Sequence, residues 1–185
     1  GTLLFMPAYV EDMDCASLKI VNIFPDNVKS GLPTAPAQVL LIDAKTGLVS
    51  AVLDGTYVTQ LRTGAASGAA FDALARKDAK VGALIGTGGQ AATQLEAMLC
   101  ARKLETVRIF DLDPERLNAF VERMRQELSS YGAELVAAAS SDEAVEGADI
   151  LVTMTPSLKP VFNADKVKPG CTVSCVGAYQ PHMQE

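Results

Sequence analysis

A glycine-rich loop is the first feature of this chain with the residue types and spacing for chemistry. The apolar run Val81–Ile85 leads directly into Gly-Thr-Gly-Gly-Gln-Ala at 86–91, which fits the pattern G-x-G-x-x-A. Gly86 permits a tight turn after a strand, Gly88 lets a pyrophosphate approach the backbone, and Ala91 lets the next helix pack closely. The N-terminus of that helix offers free N–H groups to phosphate oxygens. The loop predicts a dinucleotide-binding site with contacts from Gly86, Gly88, Gly89 and Gln90.

An acidic residue follows at the spacing that such a site requires. Asp111 lies 20 positions beyond Ala91, directly after the run Thr106–Phe110. There a carboxylate can accept hydrogen bonds from both ribose hydroxyls of an adenosine. The same carboxylate would repel a 2′-phosphate, and neither Leu112 nor Asp113 supplies a cation, so the pattern favours NAD over NADP. The alternative is a flavodoxin-like domain in which the glycine turn is incidental.

Two cations interrupt segments that are otherwise rich in apolar residues. Lys19 lies within Leu18–Phe24, and on a strand its same-face neighbours would be Val21 and Ile23. Its ammonium would suit a substrate carboxylate; the alternative is a lysine at a sheet edge whose head reaches solvent. Arg62 lies on a predicted helix, where its guanidinium would suit bidentate binding of a carboxylate or phosphate. The alternative is that Arg62 is an ordinary exposed arginine on the surface of the helix.

Further candidates lie near the end of the chain. Thr153 and Thr155 lie at the end of the predicted strand Ile150–Met154. Because the carboxyl ends of parallel strands border the cofactor crevice, we expect both threonines to line it. His182 is the only histidine, and no Ser, Cys or carboxylate pattern accompanies it. We therefore expect it at the surface rather than in a catalytic triad.

The elements that must position these residues fall into two halves, residues 1–78 and 79–185. The first half contains four β-like runs, with a hairpin predicted between the third and fourth, and then an alanine-rich helix. Those runs are Leu3–Met6, Leu18–Phe24, Gln38–Asp43 and Leu48–Leu53. The second half alternates strands, predicted at 81–85, 106–110, 135–138, 150–154 and 172–176, with helices at 91–99 and 114–128. This alternation predicts an α/β protein with a doubly wound parallel sheet beside an α+β domain.

The composition narrows the function classes. Of 185 residues, 49% are apolar and 21% charged, and the net charge is −6. These fractions exclude a disordered or fibrous chain. An acidic chain without a basic run is not expected to bind nucleic acid, and no stretch approaches the roughly 18–20 apolar residues that span a bilayer. We expect the four cysteines to be buried free thiols in a reducing cytoplasm, with no metal site; they are Cys15, Cys100, Cys171 and Cys175.

Taken in order, several short motifs resemble those of the ornithine cyclodeaminase/mu-crystallin family. The matching stretches are Leu-Lys-Ile-Val at 18–21, Phe-Pro-Asp-Asn at 24–27, Gly-Leu-Pro-Thr at 31–34, Thr-Gln-Leu-Arg-Thr-Gly-Ala-Ala-Ser at 59–67, the glycine loop, Gly-Ala-Asp at 147–149, and Val-Gly at 176–177 through Pro181 to Glu185. The resemblance implies an NAD(P)-binding Rossmann domain at 79–185. It also implies a domain at 1–78 that binds the substrate and forms a homodimer.

The resemblance further implies roles for individual residues. Lys19 and Arg62 would hold the carboxylate of a small amino or imino acid. Contacts with the dinucleotide would come from Thr63, Gly88, Gly89, Gln90 and Asp111. The family's activities include cyclising ornithine to proline with loss of ammonia, alanine dehydrogenation and reduction of cyclic imino acids, and some members bind thyroid hormone or serve as lens crystallins.

One position departs from the cyclodeaminase pattern. In ornithine cyclodeaminases an Asp in the loop after the fifth Rossmann strand handles the substrate's amino group, and here Tyr179 takes its place. A phenol with an ordinary pKa of about 10 can donate a proton but is a poor base for an ammonium at neutral pH. We therefore expect a ketimine reductase of the pyrroline-2-carboxylate type or an amino-acid dehydrogenase, with Tyr179 as the candidate proton donor. Ornithine cyclodeaminase and a crystallin-like binding protein without turnover are the alternatives.

The first and last residues of the sequence bear on whether both predicted domains are complete. The sequence begins with Gly1 rather than Met and stops at Glu185, just past the fifth predicted Rossmann strand. By comparison with the family, we expect it to be the middle of a longer chain, in which both domains are represented in part.

Overall fold

A computed structural model of the chain describes residues 1–177 and 180–185, in two compact units, 1–62 and 63–185. The first unit is built on an antiparallel sheet with strand order β1-β2-β3-β4. Its strands are β1 (Thr2–Val10), β2 (Cys15–Ile23), β3 (Ala37–Asp43) and β4 (Val49–Asp54). The four predicted strands are confirmed, and so is the β3–β4 hairpin. Asp43 organises its turn, because its carboxylate accepts the backbone N–H groups of Lys45 and Thr46 at 2.9 and 2.8 Å.

Apolar residues cover both faces of this sheet instead of alternating with polar ones. On one face, β1 exposes 58% of Leu3, 63% of Phe5 and 60% of Tyr9. The opposite face carries Lys19 together with the buried Val21 and Ala37. A sheet that is apolar on both faces is stable in water when both faces are covered. We call the face of Leu3, Phe5 and Tyr9 the outer face.

The long helix α1 (Gly55–Leu74) contributes residues to both units. It begins at Gly55, after Asp54, where the composition predicts the change to helix, and Thr56 anchors its first turn: the Thr56 hydroxyl accepts the N–H of Ala37 at 3.1 Å. Gly55 is required there, since a Cβ would approach the Ala37 backbone to 2.9 Å. The predicted division into functional domains after residue 78 stays a prediction.

A parallel five-stranded sheet with order β7-β6-β5-β8-β9 forms the centre of the second unit. Its strands are β5 (Val81–Ile85), β6 (Thr106–Phe110), β7 (Glu134–Ala137), β8 (Ile150–Thr153) and β9 (Thr172–Cys175). The helices of this unit after α1 are α2 (Ala91–Ala101), α3 (Pro114–Glu127) and α4 (Ser141–Val145). The strand order reverses at β5, as in a doubly wound dinucleotide-binding sheet, so the predicted fold class is confirmed.

Two apolar cores occupy the two faces of the parallel sheet. Leu84 points into the larger core, whereas its neighbours Ala83 and Ile85 point into the smaller one. Asp113 caps α3 as predicted, accepting the N–H groups of Glu115 and Arg116. The short helix α4 was not among the predicted elements. Ser140 caps its start by accepting the N–H of Glu143 at 3.1 Å, and Glu143 accepts the N–H of Ala139, the residue before the cap, at 2.7 Å.

The cysteines differ from the expectation of buried thiols. All four are free, but Cys100 and Cys175 are exposed and Cys15 and Cys171 are half-buried. Cys100 lies on α2 and Cys175 at the end of β9, and the sequence does not show which face of either element is left uncovered. The cytoplasmic location inferred from these thiols stays a prediction. Within residues 1–177 and 180–185, no helix combines the length and the apolar character needed to span a membrane.

A buried arginine fixes the end of α1. Arg102, directly after α2, donates to the carbonyl oxygens of Asp72, Ala75 and Arg76 at 2.9, 2.8 and 3.0 Å. It also pairs with the Asp72 carboxylate at 3.0 Å. These carbonyl groups belong to the last turn of α1 and the residues after it, where the helix has no backbone donors of its own.

We expect Arg102→Ala to lower the free energy of unfolding by about 3 kcal/mol, because several carbonyl groups at the helix end lose their donors. Urea denaturation measures this change. The neighbouring Lys103 is exposed, so Lys103→Ala serves as the matched control and should stay within about 0.5 kcal/mol of the parent. Equal losses in the two variants would contradict this role of Arg102.

Candidate functional site

The glycine loop leaves β5 through a backbone conformation that only glycine adopts readily. Gly86 has a φ of +96°, and its N–H donates to the carbonyl of Phe110, at the end of β6, at 2.8 Å. A Cβ at this position would also come within 2.9 Å of the Met154 carbonyl oxygen, which follows β8. Gly86 therefore fixes the loop between the carboxyl ends of the two strands that flank β5.

The next part of the loop is open. Gly88 and Gly89 are exposed, and a Cβ on Gly88 would meet no atom within 4 Å. The helix α2 starts at Ala91, which is fully buried and donates its N–H to the carbonyl of Gly88 at 3.0 Å, so the positive end of the helix dipole lies at the loop. Gln90, just before α2, has a buried side-chain oxygen without a hydrogen-bond partner among the described residues. These residues fit a dinucleotide, because the backbone of the loop is accessible and the N-terminus of α2 carries a partial positive charge. The side-chain oxygen of Gln90 can also accept a hydrogen bond from the ligand.

Asp111 holds this loop in place from the end of β6. Its Oδ2 accepts the N–H and the hydroxyl of Thr87 at 2.8 and 2.6 Å, and its Oδ1 accepts the N–H of Asp113 at 3.0 Å. Burial by itself would raise the pKa of this carboxyl group. The hydrogen bonds from Arg116, Asp113 and Thr87 outweigh burial and lower the pKa of Asp111 to about 2. The carboxylate is therefore ionised at neutral pH.

The structure corrects the expectation that no cation lies near Asp111. Arg116, in the first turn of α3, forms a two-pronged ion pair with it: Nε lies 3.2 Å from Oδ2, and Nη2 bonds Oδ1. Leu112 and Asp113, the two residues directly after Asp111, carry no positive charge, and the cation comes from the helix that follows them. The missed signal was the Asp113-Pro114 helix start, which places the residue five positions after Asp111 beside its carboxylate.

The predicted threonines lie at the same edge of the sheet. Thr153 ends β8 and is fully buried, and its hydroxyl has no partner among the described residues. The N–H of Thr155 donates to the carboxylate of Glu185, which also accepts the N–H of Gly177 at 2.7 Å. A side chain on Gly177 would collide with the Thr155 backbone and with Glu185. Glu185 thus joins the segments that follow β8 and β9, a function that its motif did not reveal.

The structure brings Lys19 and Arg62 together in the first unit. Lys19 is half-buried on β2, and β2 pairs with strands on both sides, so the alternative of a lysine at a sheet edge is wrong. Burial and the positive charge of Arg62 both lower the pKa of the Lys19 ammonium. Arg62 is exposed on α1. Within the described part of the chain, neither cation forms an ion pair with a carboxylate. Two close cations without a carboxylate are suited to binding an anion.

Three other predicted residues have simpler outcomes. Thr63 is half-buried on α1, directly after Arg62, and its contact with the dinucleotide stays a prediction. Tyr179, the candidate proton donor, lies outside the described residues. His182 is exposed, as predicted. Among residues 1–177 and 180–185, no group of three or more His, Cys, Asp or Glu side chains is arranged to hold a metal ion.

Comparison with known proteins supports the family resemblance. The model of the ornithine cyclodeaminase/mu-crystallin family matches residues 1–185. Among curated relatives, the chain is 38% identical over 185 residues to a Delta(1)-pyrroline-2-carboxylate reductase of Bacillus cereus. That match covers 100% of this chain and 56% of the relative, so the chain spans about half the length of the curated relatives it matches.

Two solved structures have the same fold over nearly the whole chain. One is the Thermococcus litoralis Delta(1)-pyrroline-2-carboxylate reductase in complex with NADH and L-proline, with a TM-score of 0.90 and 40% identity over 95% of this chain and 53% of that one. The other is an archaeal alanine dehydrogenase dimer with bound NAD, with a TM-score of 0.87 and 39% identity over 99% of this chain and 55% of that one.

The lowered pKa of Asp111 has a consequence for stability. A carboxyl group whose pKa is lower in the folded protein than its ordinary value of about 4 stabilises the fold above that value. This stabilisation is lost as the pH falls from about 4 through about 2. We therefore expect Asp111→Asn to be less stable than the parent at pH 7 and to lose less stability between these two pH values. Urea unfolding at several pH values measures both effects.

The exposed Asp165 provides the control for this experiment. Asp165→Asn should follow the pH dependence of the parent. If Asp111→Asn also followed it, the hydrogen bonds at Asp111 would not contribute to stability as described.

Proposed function

Because the chain belongs to the ornithine cyclodeaminase/mu-crystallin family, we propose that it functions as an NAD(P)-dependent oxidoreductase acting on a small amino or imino acid. The preferred activity is reduction of a cyclic ketimine of the pyrroline-2-carboxylate type, with amino-acid dehydrogenation as the related reaction. The named activities of the relatives, pyrroline-2-carboxylate reductase and alanine dehydrogenase, support this proposal. Its main structural support is the pair of Lys19 and Arg62, two neighbouring cations without a carboxylate partner among the described residues.

The second unit binds the dinucleotide. The backbone of Gly88 and Gly89 and the N-terminus of α2 bind the pyrophosphate, because that surface is open and lies at the positive end of the helix dipole. The side-chain oxygen of Gln90 accepts a hydrogen bond from the ligand, and Asp111 binds the adenosine ribose. When bound, NADH supplies the hydride that reduces the substrate. The carboxylate of Asp111 favours NADH over NADPH as the tighter ligand.

Residues of the first unit bind and orient the substrate. Lys19 and Arg62 clamp its carboxylate, so that the carbon beside it is held in one position. Binding an anion also offsets the repulsion from Arg62, which adds to burial in lowering the pKa of the Lys19 ammonium. Reduction of the C=N bond adds hydride to the carbon and a proton to the nitrogen. Tyr179 or a water molecule is the candidate donor of that proton.

The clamp is tested by removing its charges one at a time. We expect Lys19→Met and Arg62→Ala each to lower kcat/KM for pyrroline-2-carboxylate by roughly 100-fold, because the substrate carboxylate loses a charge-assisted partner. NADH oxidation followed at 340 nm gives the rate, and NADH fluorescence confirms that the cofactor still binds. Lys29, whose ammonium is exposed and paired with Asp26, provides the control: Lys29→Met should retain the parental rate. Parental rates in both clamp variants would refute the assignment.

The same assay separates the competing functions. A ketimine reductase oxidises NADH in the presence of pyrroline-2-carboxylate or piperideine-2-carboxylate. A cyclodeaminase releases ammonia from ornithine without net change in NADH. A crystallin-like protein binds the dinucleotide but turns over neither substrate. An amino-acid dehydrogenase of the alanine type oxidises NADH when pyruvate and ammonia are supplied, which is the reverse of alanine dehydrogenation.

We also propose that two copies of the chain associate through the outer face of the first-unit sheet. Cross-strand pairing places Leu18, Leu40 and Val52 on the same face as Phe5, which gives a continuous apolar surface over four strands. Phe5 and Val52 are 63% and 64% exposed in the single chain. An apolar face of this extent is typical of surfaces that are buried on association. The dimeric state of the similar alanine dehydrogenase also supports the proposal.

We expect Phe5→Glu and Val52→Glu to convert a dimer into a monomer, because each places a charge in the centre of an apolar interface. Sedimentation equilibrium at micromolar concentration measures the mass. Met13, 72% exposed in the short connection between β1 and β2, provides the control, and Met13→Glu should remain dimeric. A monomeric parent chain, or an unchanged dimer in both sheet variants, would contradict the proposed interface.

A further inference from the structure

The carboxylate of Asp111 already has more donors than it can hold with good geometry. Thr87 provides an N–H and a hydroxyl, Asp113 provides an N–H, and Arg116 provides Nε and Nη2. An ionised carboxylate has about four lone-pair sites for hydrogen bonds. The ribose hydroxyls of an adenosine need two of these sites. By this count about three of the five present donors must leave or weaken when both ribose hydroxyls bind, and Arg116 supplies two of the five.

Arg116 is the donor that is free to leave. The N–H groups of Thr87 and Asp113 belong to backbone that is fixed by the glycine loop and by the start of α3. The Thr87 hydroxyl lies on a buried side chain, so it can turn its proton away but cannot leave the site. The Arg116 side chain is 53% exposed and reaches the carboxylate from solvent, whereas the Asp111 side chain is 4% exposed. A guanidinium on a flexible stem can rotate away without disturbing the strand or the loop.

We propose that Arg116 determines how strongly the site discriminates between NADH and NADPH, by leaving Asp111 when the ribose binds and then pairing with a 2′-phosphate. This inference rests on the proposed function, because it requires that the second unit bind a dinucleotide. Without Arg116, the carboxylate of Asp111 and that of the nearby Asp113 would both repel the phosphate. With Arg116 beside the 2′-position, one of the two negative charges is offset, and a bidentate partner for phosphate oxygens is available.

The tests use direct binding, so they do not depend on turnover. Fluorescence titration gives the Kd values of NADH and NADPH for the parent chain, for Arg116→Met and for Arg116→Lys. We expect Arg116→Met to raise the ratio of Kd for NADPH to Kd for NADH at least tenfold, with NADH bound as tightly as before or more tightly. Arg116→Lys keeps the positive charge but lacks the paired N–H donors of the guanidinium, so it should give an intermediate ratio.

Two further measurements sharpen the result. Arg123, exposed on α3 beside the ring of Phe120, provides the matched control, and Arg123→Met should leave the ratio unchanged. Adenosine 2′,5′-bisphosphate should compete with NADH less well in Arg116→Met than in the parent chain, while 5′-AMP competes equally well in both. This pair of probes isolates the 2′-phosphate from the nicotinamide.

The outcomes are distinct. If the parent chain binds neither NADH nor NADPH, the proposed function fails, and the inference fails with it. If the parent binds dinucleotide and the ratio stays within twofold in Arg116→Met, the inference is overturned while the proposed function stands. A loss of affinity that is equal for both dinucleotides also overturns it, because it would show that Arg116 only supports the loop. If Arg116→Met does not fold, Arg116→Lys decides by the same criteria.

Discussion

The hydrogen bonds of one buried carboxylate hold the predicted cofactor site together. Asp111 directly follows a strand, accepts two hydrogen bonds from the glycine loop through Thr87, and accepts another from the segment that leads into α3. Three separate parts of the chain thus meet at two oxygen atoms. The charge is tolerated at 4% exposure because donors surround it. The same hydrogen bonds therefore hold the glycine loop in position and keep the Asp111 carboxyl group ionised.

The sequence was a good guide to this part of the molecule because local rules determine it. The strands β5 and β6 match their predicted bounds, and Asp113 caps α3 where expected, since apolar runs, caps and glycine turns act over a few residues. Arg116 was missed because its role depends on how a helix turn places a side chain back over the preceding strand end. Such a contact requires the geometry of the helix start and is not a property of any single residue.

The first unit shows a second limit of sequence reasoning. Its strands and hairpin were foreseen from β-branched runs and turn residues, and Lys19 was recognised as unusual within an apolar strand. Its place on an inner strand was not foreseen, because strand order depends on long-range pairing. Nor was the exposure of Cys100 and Cys175, since an apolar neighbourhood along the chain does not state which side of an element is covered. Burial depends on tertiary packing, so the sequence pattern alone does not predict which side chains are exposed.

Gly177 and Gly88 differ in whether the fold has room for a side chain, and this difference affects which substitutions each position should tolerate. At Gly177 any side chain would run into Thr155 and Glu185, whereas at Gly88 a side chain would meet nothing within 4 Å. A chain selected only for folding should keep glycine at 177 and drift freely at 88. A chain selected for ligand binding should keep both. The contrast between the two positions in a collection of variants would thus show which members still bind a ligand, without any assay of the ligand itself.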